Sequence, residues 1–260
     1  EGEGDFDDTL PRLAVSYDMN NNWNFYANYA KGRRSPVVNA DASGVTVTKA
    51  EIVDSYDVGV KYQSANFTFT GAVFTYQYSD YQQSYTDAET LQSITVTVGD
   101  STMSGIEGMA TYQYSDTLSF TTSLGFLDAE FADETAEGTP FEYGGNKFRL
   151  APEVSGAINI NKLVEMDNWL LDFNWLTSFQ SKVYFESSNY PGLWQDTYSL
   201  TDVSMKVSKD NSPFAFELYV DNLLDKEYLI DAGNTGVGLG IPTFVRGMPR
   251  IAGVRLYYDF

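Results

Sequence analysis

A chain of 260 residues with 36 acidic and 16 basic side chains carries a formal net charge of −20, and it contains neither His nor Cys. Those absences exclude Ser-His-Asp and Cys-His nucleophile pairs, zinc sites of the usual ligand types and any disulfide framework; the charge opposes a nucleic-acid partner, which needs clustered Lys and Arg. No apolar run of about 18 residues occurs, so a helical membrane span is excluded while a strand span is not, and a mean hydropathy of −0.29 fits strands that alternate apolar and polar residues.

Alternation with period two is the dominant pattern from one end to the other. Leu13, Val15 and Tyr17 open it on a strand expected over 9–18, followed by Trp23, Phe25, Ala27 and Tyr29 over 22–31. Tyr56, Val58, Val60 and Tyr62 mark a strand over 50–63, with another over 66–80 and a fifth over 100–115. The row Leu118, Phe120, Thr122, Leu124, Phe126 stands against Thr117, Ser119, Thr121, Ser123, Gly125 and predicts a half-buried strand over 117–131. After a strand at 147–161, the row Trp169, Leu171, Phe173, Trp175, Thr177, Phe179 defines one at 168–182. Strands at 195–208, 213–228 and 247–260 complete a set of about eleven, each of the length that a tilted membrane strand needs.

The connections alternate between short and long. The short ones, at 18–22, 63–66, 115–117, 161–168 and 208–213, are rich in Asn, Asp and Ser as tight turns require. The long ones lie near 32–49, 81–99, 132–146, 183–194 and 229–246. Short turns on one rim and long loops on the other predict an all-β, antiparallel transmembrane barrel segment with periplasmic turns and extracellular loops. A secreted sandwich or propeller also has many strands. Soluble strands, however, average about 5 to 6 residues, and aromatic girdles explain why Trp, Tyr and Phe recur at both ends of the apolar rows.

The opening Glu1-Gly2-Glu3-Gly4-Asp5 is no signal peptide. An outer-membrane protein is synthesised with one, so the native start is expected upstream. Eleven antiparallel strands leave both end strands running the same way, whereas an antiparallel barrel closes with an even number. Open edges facing lipid cost several kcal/mol per unsatisfied group, so the segment alone is not expected to be a stable membrane protein. Phe260 ends the row Leu256, Tyr258, Phe260, which looks like the signal that hands outer-membrane barrels to their assembly machinery; the plain alternative is a strand that happens to end there.

Several stretches resemble the TonB-dependent receptor family. Leu10-Pro11-Arg12-Leu13-Ala14-Val15-Ser16-Tyr17 and Phe25-Tyr26-Ala27-Asn28-Tyr29-Ala30-Lys31-Gly32-Arg33-Arg34-Ser35-Pro36 look like its strand, turn and strand leading into a Gly-Arg loop. Ala50-Glu51-Ile52-Val53-Asp54-Ser55-Tyr56-Asp57-Val58-Gly59-Val60-Lys61-Tyr62 is similar to its acidic loop-to-strand segment, and Ser104-Gly105-Ile106-Glu107-Gly108 resembles its small-Gly-aliphatic-Glu strand entry, with 123–131 as partner. Most specific are Val220-Asp221-Asn222-Leu223-Leu224-Asp225-Lys226-Glu227-Tyr228, then Gly247-Met248-Pro249-Arg250 and the terminal Tyr258-Asp259-Phe260.

The resemblance implies that residues 1–260 are the C-terminal half of a barrel of about 22 strands, without the N-terminal plug, the TonB-binding box or the first half of the wall. It further implies active uptake of a scarce nutrient, whether siderophore, vitamin or oligosaccharide, across the Gram-negative outer membrane. The implied partners are outer-membrane lipid and lipopolysaccharide, a plug from the same precursor, the TonB complex, the barrel-assembly machinery and a small-molecule ligand. No cofactor, metal or catalytic role is expected. Candidate ligand contacts are Arg33, Arg34, Tyr81, Tyr85, Phe141, Tyr143, Arg149, Tyr190, Trp194 and Asp196, each also readable as a solvated loop residue or an interfacial Tyr. Inward alternates Asp57, Lys61, Asp172, Glu217 and Arg255 are expected to line the lumen. The acidic loops lack a twelve-residue Ca²⁺ pattern, so their charge reads as surface solvation. A passive porin is the runner-up, separated by whether a plug of domain size, about 120 to 150 residues, precedes the barrel in the precursor. A carboxylate-only enzyme is a third class.

Overall fold

The computed structural model describes residues 8–41, 44–87, 92–132, 143–233 and 241–259. Eleven strands form one antiparallel sheet in chain order. Its first five are β1 (Arg12–Asp18), β2 (Trp23–Arg34), β5 (Glu51–Gln63), β6 (Phe67–Thr86) and β7 (Ser93–Ser115). The other six are β8 (Leu118–Phe131), β9 (Val154–Met166), β10 (Trp169–Gln180), β13 (Tyr198–Lys209), β14 (Phe214–Asp221) and β17 (Ile251–Tyr258). Three hairpins fill long connections: β3 (Val38–Asp41) with β4 (Gly44–Val47), β11 (Val183–Tyr184) with β12 (Trp194–Gln195), and β15 (Leu229–Gly233) with β16 (Thr243–Arg246).

Register shows what the alternation is for. Val15, Ala27, Val58, Val73, Ile106, Phe126 and Val154 stand opposite one another across seven strands. A second ladder runs Phe67, Tyr112, Phe120, Ile160, Trp175, Val203, Val220, Ala252. Both lie on the same face, and none of the described residues covers it: Val58 is 62% exposed. No second sheet stacks on these rows among the described residues, which rules out the sandwich reading. Each such side chain gains about 1.5–3 kcal/mol on leaving water, and hydrocarbon supplies that environment.

The opposite face is polar and bonded to itself. The Asn159 amide donates to Asn174 Oδ1 at 2.7 Å and that of Asn161 to Asp172 Oδ1 at 2.5 Å. Arg255 meets Glu217 at 3.2 Å, and the Tyr257 hydroxyl donates to the same carboxylate. All five expected lumen residues share this face by register. Glycine has a specific use here, since a Cβ on Gly59 would stand 2.3 Å from the Tyr26 ring, and one on Gly253 2.5 Å from the Tyr219 hydroxyl. Absent side chains let those rings lie flat on the wall.

Four strands depart most from expectation. β6 and β7 climb well beyond the expected strand ends, through a bulge between Tyr78 and Gln82 where Asp80 takes φ 55°. Alternation is lost at such a bulge although the ladder continues. β9 begins at Val154 and continues to Met166, leaving only Asp167 and Asn168 as the turn before β10. Lys162 interrupts the apolar row there, and its ammonium reaches Thr117 Oγ1 at 2.8 Å while its stem lies along the face. β14 stops at Asp221, where Asn222 takes φ 50°.

Candidate functional site

The long-loop end of the sheet is organised around two small cores. On the inner side of β7 and β8, Val98, Ala129, Phe131, Tyr143 and Phe148 are buried together, with Tyr81 packed against them. The Phe131 and Phe148 rings lie 4.5 Å apart, and Tyr81 sits 5.1 Å from Phe148 and 5.5 Å, edge-on, from Phe131. Val183, Phe185, Leu193 and Ala232 form the second core beneath β11, β12 and β15.

Polar bonds join the loops above these cores. Asn189 and Lys147 bond reciprocally: the Lys147 N–H donates to Asn189 Oδ1 at 2.9 Å and Asn189 Nδ2 donates to the Lys147 carbonyl at 2.8 Å. Asn146 donates to the Ser187 carbonyl at 3.1 Å, and the Ser187 hydroxyl donates to Gln83 Oε1 at 3.2 Å. Lys147 also bonds three carboxylates, Asp128 at 2.8 Å, Glu153 at 3.2 Å and Glu130. Burial works against the Lys147 charge, yet those three acceptors outweigh it and raise its pKa above the ordinary lysine range.

Over β2 and β6 the pivot is Gln82, only 2% exposed. Its amide donates to the Ser35 and Lys49 carbonyls at 3.0 and 2.8 Å, and its N–H to Glu51 at 2.7 Å. Arg34 donates to the Gln82 carbonyl at 3.2 Å and lies 3.8 Å from Glu51. Tyr81, within the bulge, has its pKa raised by burial and then by Glu51, with Arg34 and Arg149 pulling the other way.

The ten sequence-derived contacts therefore separate. Arg34 and Tyr81 meet at Gln82, which follows Tyr81 in the chain and accepts from Arg34, while Arg149 is exposed beside the buried Phe148. Arg33 points to the other face and pairs with Asp8 at 2.8 Å. Tyr143, 2% exposed, is core, a packing role that no loop motif announced. Tyr85 is half-buried on the β6 extension, Tyr190 and Asp196 are exposed, and Phe141 lies outside the described residues. Trp194 packs with Tyr184 around the Lys182 ammonium, 4.2 and 4.4 Å from the two rings. Sequence reasoning missed Gln82, Glu51, Gln83, Ser187, Asn189 and Lys147. Their partners are mostly remote in the chain, so no local spacing exposes them.

The stretch 220–228 and Gly247-Met248-Pro249-Arg250 form a clasp, not a ligand contact. Asn222 Nδ2 donates to the Lys226 and Met248 carbonyls at 2.9 and 3.1 Å, its Oδ1 accepts the Lys226 N–H at 2.8 Å, and Asp202 accepts the Asn222 N–H at 2.7 Å. Asp225 accepts the Arg250 N–H at 3.0 Å. Tyr228 stacks on Tyr198 at 4.9 Å, with Gly247 so close beneath its ring that any Cβ would collide. Tyr258 and Leu256 project from the apolar face of β17, and Phe260 lies outside the described residues.

The family model for the TonB dependent receptor-like β-barrel matches residues 2–223. The pesticin receptor of Yersinia pestis is 23% identical over 234 residues, 88% of this chain and 33% of that protein. The ferric yersiniabactin uptake receptor FyuA from Yersinia pestis superposes with a TM-score of 0.80 at 22% identity, over 96% of this chain and 37% of that one. BauA, the ferric preacinetobactin receptor of Acinetobacter baumannii, gives 0.74 at 19% identity, over 96% and 36%. The chain thus spans about a third of the length of the relatives it matches. It belongs to the TonB-dependent receptor β-barrel family.

Proposed function

We propose that this chain is wall and extracellular vestibule of an outer-membrane receptor that imports a scarce nutrient with energy supplied through TonB. The carrying observation is the two-faced sheet: one face carries two apolar ladders that together cross all eleven strands, and the other is polar and bonded to itself. Membership of the family supports a receptor over a passive porin and over an enzyme. Residues 1–260 act as the C-terminal part of the barrel. A plug and further wall strands fill and close it, the assembly machinery reads Leu256, Tyr258 and Phe260, and lipopolysaccharide and phospholipid contact the apolar rows.

Relatives named for ferric yersiniabactin and ferric preacinetobactin favour a ferric chelate of the siderophore class over a vitamin or oligosaccharide. The test is growth of a strain deleted for the full-length receptor under separate iron, vitamin and sugar limitation. Slower growth under iron limitation, reversed by the intact gene and with unchanged entry of small solutes, is expected. Unchanged growth in all three media overturns the reading.

A further inference from the structure

We propose that the apolar face carries a seat for one phospholipid whose headgroup ends in a primary ammonium, of the phosphatidylethanolamine kind, across β5, β6, β7 and β8. The proposal rests on the reading of that face as lipid-facing and goes beyond the uptake function.

The wall is not evenly covered there. Tyr56, Thr75, Ser104 and Asp128 stand opposite one another across the four strands, and in the next row toward the turns Val58, Val73, Ile106 and Phe126 do the same. Two short side chains thus lie between a tyrosine and a carboxylate, and a mostly apolar groove of about 760 Å³ opens over them and over the second row. That is the size of an ordinary small-molecule pocket. One row further down, Gly71 and Gly108 face each other, and the Phe69 ring leans so close that a Cβ on Gly71 would stand 2.8 Å from it.

The polar end of the groove lies on the long-loop side. Tyr29 and Tyr56, with rings 5.1 Å apart, mark the headgroup level. The Thr75 and Ser104 hydroxyls bond each other at 2.8 Å, and because each carries one donor, one O–H is left over for a phosphate or ester oxygen. Asp128 and Glu153 line the same end, with side chains 73% and 62% exposed. They share Lys147 with Glu130, and three carboxylates around one ammonium leave a net charge of −2. Neighbouring charges do not offset it: Lys31 pairs with Asp54 at 4.0 Å, Arg33 with Asp8 at 2.8 Å and Lys49 with Asp80 at 2.9 Å. Asp100 adds a further carboxylate, and Arg149 acts on Tyr81 at the inner side. A headgroup that is only anionic is repelled here, whereas an ammonium brings three N–H donors to carboxylates in charge-assisted bonds.

The test exchanges the full-length receptor, in detergent with EDTA, into phosphatidylethanolamine, phosphatidylcholine, phosphatidylglycerol or lipid A, and counts retained lipid by native mass spectrometry. Phosphatidylethanolamine is expected to be held about tenfold or more tightly than phosphatidylglycerol, the scale of a charged hydrogen bond. Phosphatidylcholine, which keeps the charge without N–H donors, should fall between. Asp128→Asn combined with Glu153→Gln should weaken phosphatidylethanolamine about tenfold. Val73→Trp, which fills the groove, should abolish its retention, while Leu218→Trp, on the same face outside the groove, should leave it unchanged. Phosphatidylglycerol or lipid A held as tightly as phosphatidylethanolamine overturns the proposal, as does retention indifferent to the groove and carboxylate variants, or no retained lipid. Growth under iron limitation reads the receptor function separately, so slower growth of the deletion strain with no lipid held at the groove would keep the receptor reading and remove the lipid seat.

Discussion

Replacing Asn222 by Ala tests whether the clasp above β14 and β17 holds the long-loop end of the sheet together. Asn222 is 4% exposed and sits at φ 50°, where an Ala side chain meets strain of about 1–2 kcal/mol. Its amide supplies three hydrogen bonds, two to carbonyls and one from the Lys226 N–H. Each contributes about 1 kcal/mol net, and burial of the abandoned partners adds to the loss. The expected destabilisation is about 4 kcal/mol, localised to 222–228 and 247–250. Asn222→Gly keeps the backbone conformation and should recover about 1 kcal/mol of it. Hydrogen exchange of the Gly247 amide, which donates to the Tyr228 carbonyl at 2.9 Å and keeps its acceptor in both variants, reads the opening free energy in the reconstituted receptor. An Ala variant within 0.5 kcal/mol of wild type, roughly the size of an ordinary surface change, refutes the clasp.

On the apolar face, Ile106→Lys should cost about 2–4 kcal/mol of folding free energy in lipid vesicles, while Thr121→Lys on the inner face should be tolerated; equal costs would mean the faces are assigned the wrong way round. Ser187→Ala should cost the joined loops about 1 kcal/mol by removing its 3.2 Å bond to Gln83, and Gln83→Ala on top of it should add less than it does alone; fully additive losses in a double-mutant cycle contradict the joined loops. Lys147→Met leaves three carboxylates facing one another, but all three are more than a third exposed. The loss should therefore be about 1 kcal/mol or less and shrink in 0.5 M salt, measured as the melting temperature with and without salt; a salt-independent loss would point to packing instead.

Strand number and facing were legible because hydrocarbon acts on every second side chain, and that constraint is written into the chain residue by residue. Phe120 and Trp175 fall on one ladder even though 54 residues separate them in sequence, as period two alone required. Legibility ended where the membrane stops acting. Above the bulge at Asp80, β6 and β7 are held by backbone pairing without lipid on either face, and alternation no longer reports the ladder. Lys162 misled for a related reason: a cation in an apolar row read as a turn, whereas its long stem lets it stay in the strand. At the rim, aromatic residues in loops were natural candidates for ligand contact, yet Tyr143 serves a small core. Gln82 and Asn189 work through partners that only the folded chain brings near.

The sheet edges impose a condition that composition does not reveal. β1 pairs only with β2, and β17 only with β14, so each end strand carries a row of backbone groups without a ladder partner in this sheet. In hydrocarbon every unsatisfied group costs several kcal/mol, and covering the edges with side chains cannot replace hydrogen bonds. With eleven antiparallel strands the two end strands run in the same direction. A barrel that contains this sheet therefore closes in antiparallel register only with an odd number of additional strands. One extra strand would have to reach both edges of a sheet this wide and flatten its curvature. A larger odd set closes it at the strand tilt of about 35–45° that membrane barrels adopt, and leaves a bore wide enough to need filling.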